Sequence, residues 1–275
     1  HRQGFATNVN LLGEAVLGEG EAVRRLQRIQ FLAARPDVDH VSVKVSAVAS
    51  RLSPWALDTD AERVRRRLHV LATSATRHGT AVTVDMEEYQ HLHITVEAFK
   101  GLMAHRLLRD ARLGIALQAY LPDALDALDD ITAAARRRVR AGGTPVTVRL
   151  VKGANLPMEH VEAELHGWEP APYATKAETD ASFVRLLDRA LDPRRTRAVR
   201  VAVASHNLFH VALAHVLATD RGVTDAMTVE MLLGMAPAQA RAVLRDVGAV
   251  RLYTPVVARQ DADVAIAYLV RRLEE

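Results

Sequence analysis

The sequence predicts an α/β fold, a (β/α)8 TIM-type barrel, on three observations. Eight short runs rich in Val, Ile, Leu and Thr alternate with stretches of helical periodicity. Most of these runs hold a polar or charged residue inside or just after them, where a barrel of this kind builds its site. The competing architecture, an open doubly wound sheet, would carry a glycine-rich phosphate turn after its first strand. LLGEAVLGEG (11–20) has glycines at 13, 18 and 20, which is not the GxGxxG spacing.

The strand runs are FATNVNL (5–11), VSVKVSA (41–47), AVTVDME (81–87), GIALQAY (114–120), TPVTVRLVKG (144–153), VRVAVAS (199–205), MTVEMLL (227–233) and AVRLYTPVV (249–257). Gly, Pro or charged residues bound each of them. Helical spacing falls at 21–34, 61–79, 92–109, 123–140, 178–191, 208–218, 237–246 and 261–275, and Gly79 is a stop signal for the second. Strand and helix in alternation read as βαβ units of a parallel sheet, and right-handed crossovers close eight units into a barrel. The longest stretch read as irregular is 154–176, between the fifth strand and its helix, the place for a lid or a cofactor wall.

The 275 residues read as a single domain, 1–275, within the size range of one barrel. With 49% hydrophobic and 25% charged residues the chain has the composition of a soluble globular protein. No apolar run approaches the roughly 20 residues that span a bilayer, and the N-terminus lacks a signal-peptide core. The absence of cysteine excludes disulfides and thiolate metal sites and fits a reducing cytoplasm. The net charge is +3. The densest basic cluster, ARRR at 135–138, closes a helical stretch, where cations complement the helix dipole. It reads as a solvated helix end rather than a nucleic-acid surface, because aromatics are 4% of residues and are not interleaved with the basic ones. The HLH at His91 and His93 has no third ligand at a telling spacing and reads as a helix start, not a metal site. A start at His1 and an end inside a helical stretch suggest a domain excised from a longer chain.

Polar residues gather at the strand ends. Lys44 lies in the second strand, Asp85, Glu87 and Glu88 close the third, Gln118 is in the fourth, and Arg149 and Lys152 flank the end of the fifth. His206 and Asn207 follow the sixth, Glu230 is in the seventh and Tyr253 in the eighth. A purely structural ring of ion pairs, with Lys44 and Arg149 neutralised by Asp85 and Glu230, accounts for any one of them. It accounts less well for all of them, since buried charge costs much and stabilises little. In the last helical stretch Tyr268, Arg271 and Arg272 share a face, and an arginine pair is a fitting carboxylate clamp.

VSVKVSA, VDMEE (84–88), QAYLPDA (118–124), VRLVKGAN (148–155), KAETD (176–180), ASHN (204–207), LYTPVV (252–257) and YLVRRLEE (268–275) occur in an order that resembles the proline dehydrogenase family, in particular the bacterial bifunctional type fused to an aldehyde dehydrogenase. The resemblance covers almost the whole chain. It implies a barrel with FAD at the C-terminal strand ends and the last helix over the mouth. It implies oxidation of L-proline to Δ1-pyrroline-5-carboxylate, with hydride passing from substrate C5 to flavin N5, as the first step of proline catabolism to glutamate. By motif, Arg271, Arg272 and Lys44 would bind the proline carboxylate, Asp85 would pair with these cations, and Tyr253 and Leu150 would pack on the substrate. Gln118 and Arg149 would contact the isoalloxazine, while Lys152, Gly153, Lys176, His206, Asn207 and Glu275 would line the rest of the FAD site. The implied partners are proline and an electron acceptor such as a quinone, with no nucleic acid, and with peripheral attachment to the inner membrane face and a fused aldehyde dehydrogenase domain in prospect. Two departures stand out. Asn155 and Leu156 replace an aromatic residue that many members carry there, which would favour ring-substituted prolines, and Glu230 stands where relatives carry Gln.

Two other readings compete. A Schiff-base lyase or aldolase would use Lys44 or Lys152 as nucleophile but leaves the arginine pair and Gln118 unexplained. A barrel retired to a regulatory or interaction role would have shed some of Lys44, Asp85, Arg149, Tyr253, Arg271 and Arg272, and all are present.

Overall fold

Eight parallel strands close into a barrel in sequence order. They are β1 (Ala6–Leu11), β2 (His40–Lys44), β3 (Ala81–Asp85), β4 (Leu113–Gln118), β5 (Val146–Val151), β6 (Val199–Ala204), β7 (Met227–Leu232) and β8 (Val250–Val256), with β8 pairing back onto β1. Helices intervene: α1 (Glu19–Ala33), α2 (Val45–Val48), α3 (Leu57–Arg77), α4 (Leu92–Met103), α5 (Ala124–Arg140), α6 (Leu156–His166), α7 (Lys176–Ala190), α8 (Leu208–Asp220) and α9 (Pro237–Val247). The computed structural model describes residues 4–13, 16–257, 265, 266 and 268. Arg271, Arg272 and Glu275, and most of the stretch 261–275, lie outside the described residues.

The alternation within the strands explains the barrel. Val41 and Val43, Val82 and Val84, Ile115 and Leu117, Val148 and Leu150, and Val201 and Val203 are buried in the apolar layer between strands and helices. Their neighbours, at the period of two that strands impose, turn inward. The lumen is therefore polar: Asn8 bonds Ser42 at 3.0 Å and His40 meets Thr83 at 2.7 Å. Gly114 sits in register between Thr83 and Thr147, and a Cβ there would lie 2.6 Å from the Thr83 hydroxyl. The glycine is what lets these strands close.

Three expectations change. The second strand ends at Lys44, and Val45–Val48 turns into the short helix α2, which buries all four of its side chains. The stretch read as irregular contains α6, with Pro157 in its first turn and the left-handed Gly167 at its end. Those start and stop signals are regular, but the apolar residues between them do not fall on one face, so no periodicity marked the helix. The ARRR cluster is a helix end, but only in part a solvated one: Arg137 is exposed and Arg136 half-buried. Arg138 is buried, and its guanidinium donates to the carbonyls of Thr144, Met103, Leu108, Arg109 and Ala111. It ties the end of α5 to the loop before β4.

Candidate active site

The polar strand ends meet at one end of the barrel. Arg149, on β5, is 4% exposed and lies between two carboxylates. Its Nη1 donates to Asp85 at the end of β3, and its Nε donates to Glu230 on β7 at 2.7 Å. The guanidinium stacks over the Tyr253 ring, 5.2 Å from the centroid. Tyr253 donates its hydroxyl to the second oxygen of Asp85 at 2.7 Å, and Ser42 approaches the first at 3.3 Å. Arg251 reaches Glu230 at 3.4 Å. The two carboxylates hold Arg149 firmly charged against the opposing effect of burial. Burial and Asp85 together push the Tyr253 hydroxyl well above the phenolic range, so it stays a donor.

Lys44 is in register with Asp85 on the neighbouring strand, yet its ammonium pairs with Glu87 at 2.7 Å. Both oxygens of Asp85 are already taken, by Arg149 and Tyr253. Burial favours the neutral acid at Glu87, but Lys44 and the hydroxyl of Ser46 outweigh it and hold the carboxyl below its usual range. The ring of ion pairs thus exists with a different pairing. Asp85 braces Arg149 rather than Lys44, and Glu87 is the partner that the sequence left unassigned. The only signal for it was its place two residues after Asp85.

Beneath this mouth lies His40, fully enclosed in the lumen. Burial, then Arg251, Arg149 and Arg112, depress its pKa well below the ordinary value. The unfolded chain therefore takes up a proton below about pH 6.5 that the native barrel refuses. This contribution to stability is present above pH 6.5 and fades as the pH falls toward the native pKa. Urea titrations from pH 6.5 to 5 should show unfolding free energy dropping, and the share owed to His40, at most about 1.4 kcal/mol per pH unit, should be missing in His40→Gln. An unchanged slope in that variant would contradict the assignment.

Gln118 closes β4 and donates from Nε2 to the Glu87 carbonyl at 2.8 Å, leaving its buried Oε1 without a partner among the described residues. His206 accepts the Leu232 N–H on Nε2 at 2.9 Å, which leaves Nδ1 as an N–H donor, also buried and without a partner there. Lys152 and Lys176 converge on the one carboxylate of Asp180, at 2.5 and 2.7 Å, so that cluster keeps a net positive charge. Asn207 caps α8, accepting the Phe209 and His210 N–H groups, and Gly153 has φ +140° with the Tyr120 ring where a Cβ would be. Both residues have local structural reasons for their identity. Leu150 does not face the lumen. It lies one residue from Arg149 and so on the opposite face of β5, fully buried under the helices.

The set suits a flavin dinucleotide. It offers an open acceptor at Gln118, an open donor at His206 and a net-positive lysine pair for a pyrophosphate. Among the described residues no group of three or more acidic or histidine side chains could hold a metal, and no helix is long and apolar enough to cross a membrane.

A closed parallel barrel with charged and hydrogen-bonding side chains concentrated at its C-terminal strand ends has the build of a barrel enzyme. The chain belongs to the proline dehydrogenase family, whose sequence model matches residues 1–275. It is 28% identical over 294 residues to the bifunctional protein PutA of Klebsiella aerogenes, covering 99% of this chain and 22% of that protein. It is 25% identical over 278 residues to proline dehydrogenase 2 of Bacillus subtilis, covering 99% of this chain and 78% of that one. Among solved structures, proline utilization A from Corynebacterium freiburgense superposes with a TM-score of 0.94 at 52% identity, over 99% of this chain and 28% of that chain. Proline utilization A from Bdellovibrio bacteriovorus, inactivated by N-propargylglycine, gives 0.89 at 31% identity over 99% and 30%. The chain thus spans about a fifth of the curated bifunctional relatives it matches.

Proposed function

We propose that this domain oxidises L-proline to Δ1-pyrroline-5-carboxylate with FAD as its cofactor. The observation that carries the reading is the ion-paired cluster at the barrel mouth, Lys44 on Glu87 and Arg149 between Asp85 and Glu230, in a chain that matches the proline dehydrogenase family throughout. When bound, FAD supplies the two-electron acceptor for a substrate that loses two electrons and two protons between C5 and nitrogen.

The protein's share is binding and orientation. Lys44, with Arg271 and Arg272, receives the proline carboxylate, which fixes the ring and exposes C5 on the side away from the clamp. Glu87 holds Lys44 in place without a second carboxylate competing for it. Arg149 commits two of its five donors to Asp85 and Glu230, which fixes the plane of its guanidinium and leaves donors for the flavin ring. Gln118 offers its oxygen to the cofactor edge, and Lys152, Lys176 and His206 receive the polar remainder. Asp85, Glu87 and Glu230 are each held by cations or hydroxyls, so none of these three serves as a general base for the amine. A quinone is the proposed acceptor of the electrons, and an aldehyde dehydrogenase domain in the full protein would consume the product.

The Schiff-base alternative loses ground because both of its candidate amines are committed to ion pairs, Lys44 to Glu87 and Lys152 to Asp180. The test is a visible spectrum of the chain loaded with FAD, before and after anaerobic addition of L-proline. Bleaching of the flavin bands is the expected result. Bands that persist overturn proline as substrate, and a chain that takes up no flavin overturns the cofactor.

A further inference from the structure

The segment between β5 and α7 carries a helix with an inverted surface. On α6 the apolar side chains Leu156, Met158, Val161 and Leu165 are exposed, as is Trp168 just beyond it. The residues it buries are Glu159 and Ala163. A buried carboxylate must be paired or hydrogen-bonded to offset its desolvation. Glu159 has no ion pair among the described residues. It accepts the Tyr89 backbone N–H at 2.8 Å and the Tyr120 hydroxyl at 3.2 Å. Tyr89 follows β3 and Tyr120 follows β4, so this one side chain ties the segment leaving β5 across two neighbouring strand ends. Burial raises its carboxyl above the usual range, the two hydrogen bonds oppose that rise, and Glu88 and Glu162 add to it.

The bonds continue inward in a direction that chemistry fixes. The Glu87 carbonyl can only accept, so the Gln118 atom 2.8 Å away is the amide nitrogen. The same nitrogen donates its second hydrogen to the Tyr120 hydroxyl at 3.2 Å. The hydroxyl's own proton goes to Glu159. What remains of Gln118 is its oxygen, buried and unpartnered among the described residues. Chains of this kind polarise one another and hold one orientation when every member is satisfied. The Tyr120 ring is fixed from the other side by Gly153, where any Cβ would fall 2.5 Å from it.

We propose that Glu159 is a positioning residue of this site. It holds the 154–176 segment across the β3 and β4 ends and takes the Tyr120 proton, so that Gln118 offers its oxygen to a ring N–H donor of the bound cofactor. The oxidised isoalloxazine has one ring N–H, on its pyrimidine edge, and that is the group this oxygen suits. The proposal rests on the flavin reading given above.

Two readouts test it on the full chain: hydrogen exchange of α6 and the Tyr89 amide, which needs neither flavin nor proline, and the Kd for FAD by titration of the apoprotein. In Glu159→Ala both the local exchange rates and the Kd should rise about tenfold, the scale of one charge-assisted hydrogen bond. Glu159→Gln, whose amide oxygen can accept both bonds, should restore both to within about twofold. Tyr120→Phe keeps the ring against Gly153 and should raise the Kd about fivefold while the Tyr89 amide stays protected. If Glu159→Ala does not fold, the Gln and Phe variants carry the test. Faster exchange with unchanged FAD affinity overturns the positioning role, as does a Glu159→Gln variant that behaves like Ala. A parent chain that binds no flavin overturns the reading beneath the proposal, and the exchange data then decide the anchor by themselves.

Discussion

Arg149→Met is expected to destabilise the protein by about 3–5 kcal/mol, the usual consequence of removing one partner from a buried ion pair. The cause is specific to this lumen. Asp85 and Glu230 both face Arg149, and both are buried. Without the guanidinium they repel each other in a poorly solvated space, and Arg251 neutralises Glu230 only at 3.4 Å. The Tyr253 ring also loses the cation stacked on it. Urea unfolding monitored by far-UV circular dichroism measures the loss. Arg149→Met combined with Glu230→Gln should recover part of it, because one orphaned charge is then removed. A double variant no more stable than the single one would show that repulsion between carboxylates is not the cause. In variants that fold, the flavin should no longer bleach at the parent's rate on addition of proline.

Lys44→Met is expected to raise KM for proline about 10- to 150-fold, the range for losing one hydrogen bond to a charged group. The bound flavin should be retained, because Lys44 meets none of the residues assigned to the cofactor's polar remainder. Glu87→Gln is the informative companion. It keeps the cation and one acceptor oxygen beside it, so KM should move far less than in Lys44→Met. Steady-state kinetics with an artificial acceptor separates the two, and equal KM in the parent and Lys44→Met would remove Lys44 from the carboxylate clamp. Stability should respond in the opposite order to the Arg149 experiment. Lys44 is about a quarter exposed, so solvent screens much of what its pair contributes.

The sequence determined a good deal of this molecule without help. Eight β-branched runs in alternation with helices define a parallel α/β sheet, and the absence of a GxGxxG turn after the first run favours the closed barrel over the doubly wound sheet. The period of two within VSVKVSA and VTVRLV sends valines outward and Ser42, Lys44, Thr147 and Arg149 inward, a local rule that holds before the chain folds. So the placing of Lys44, Asp85, Gln118, Arg149, Glu230 and Tyr253 around one lumen was legible, as was the family. The same rule should have withdrawn Leu150 from the lumen, since a residue next to an inward arginine faces the other way.

Which charge meets which was decided by closure. Arg149 finds Asp85 from 64 residues away, and Tyr253 reaches the same carboxylate across 168. Those two contacts use up Asp85 and divert Lys44 to Glu87, although Asp85 is its neighbour in register. No periodicity carries that information, because a carboxylate has a fixed number of acceptor sites and the competition for them exists only when all the strands are present. Glu159 is the sharpest case. It lies on a helix whose exposed leucines and buried acid contradict every amphipathic rule, and its burial is explained by the ends of β3 and β4, which supply the two donors that a buried carboxylate requires.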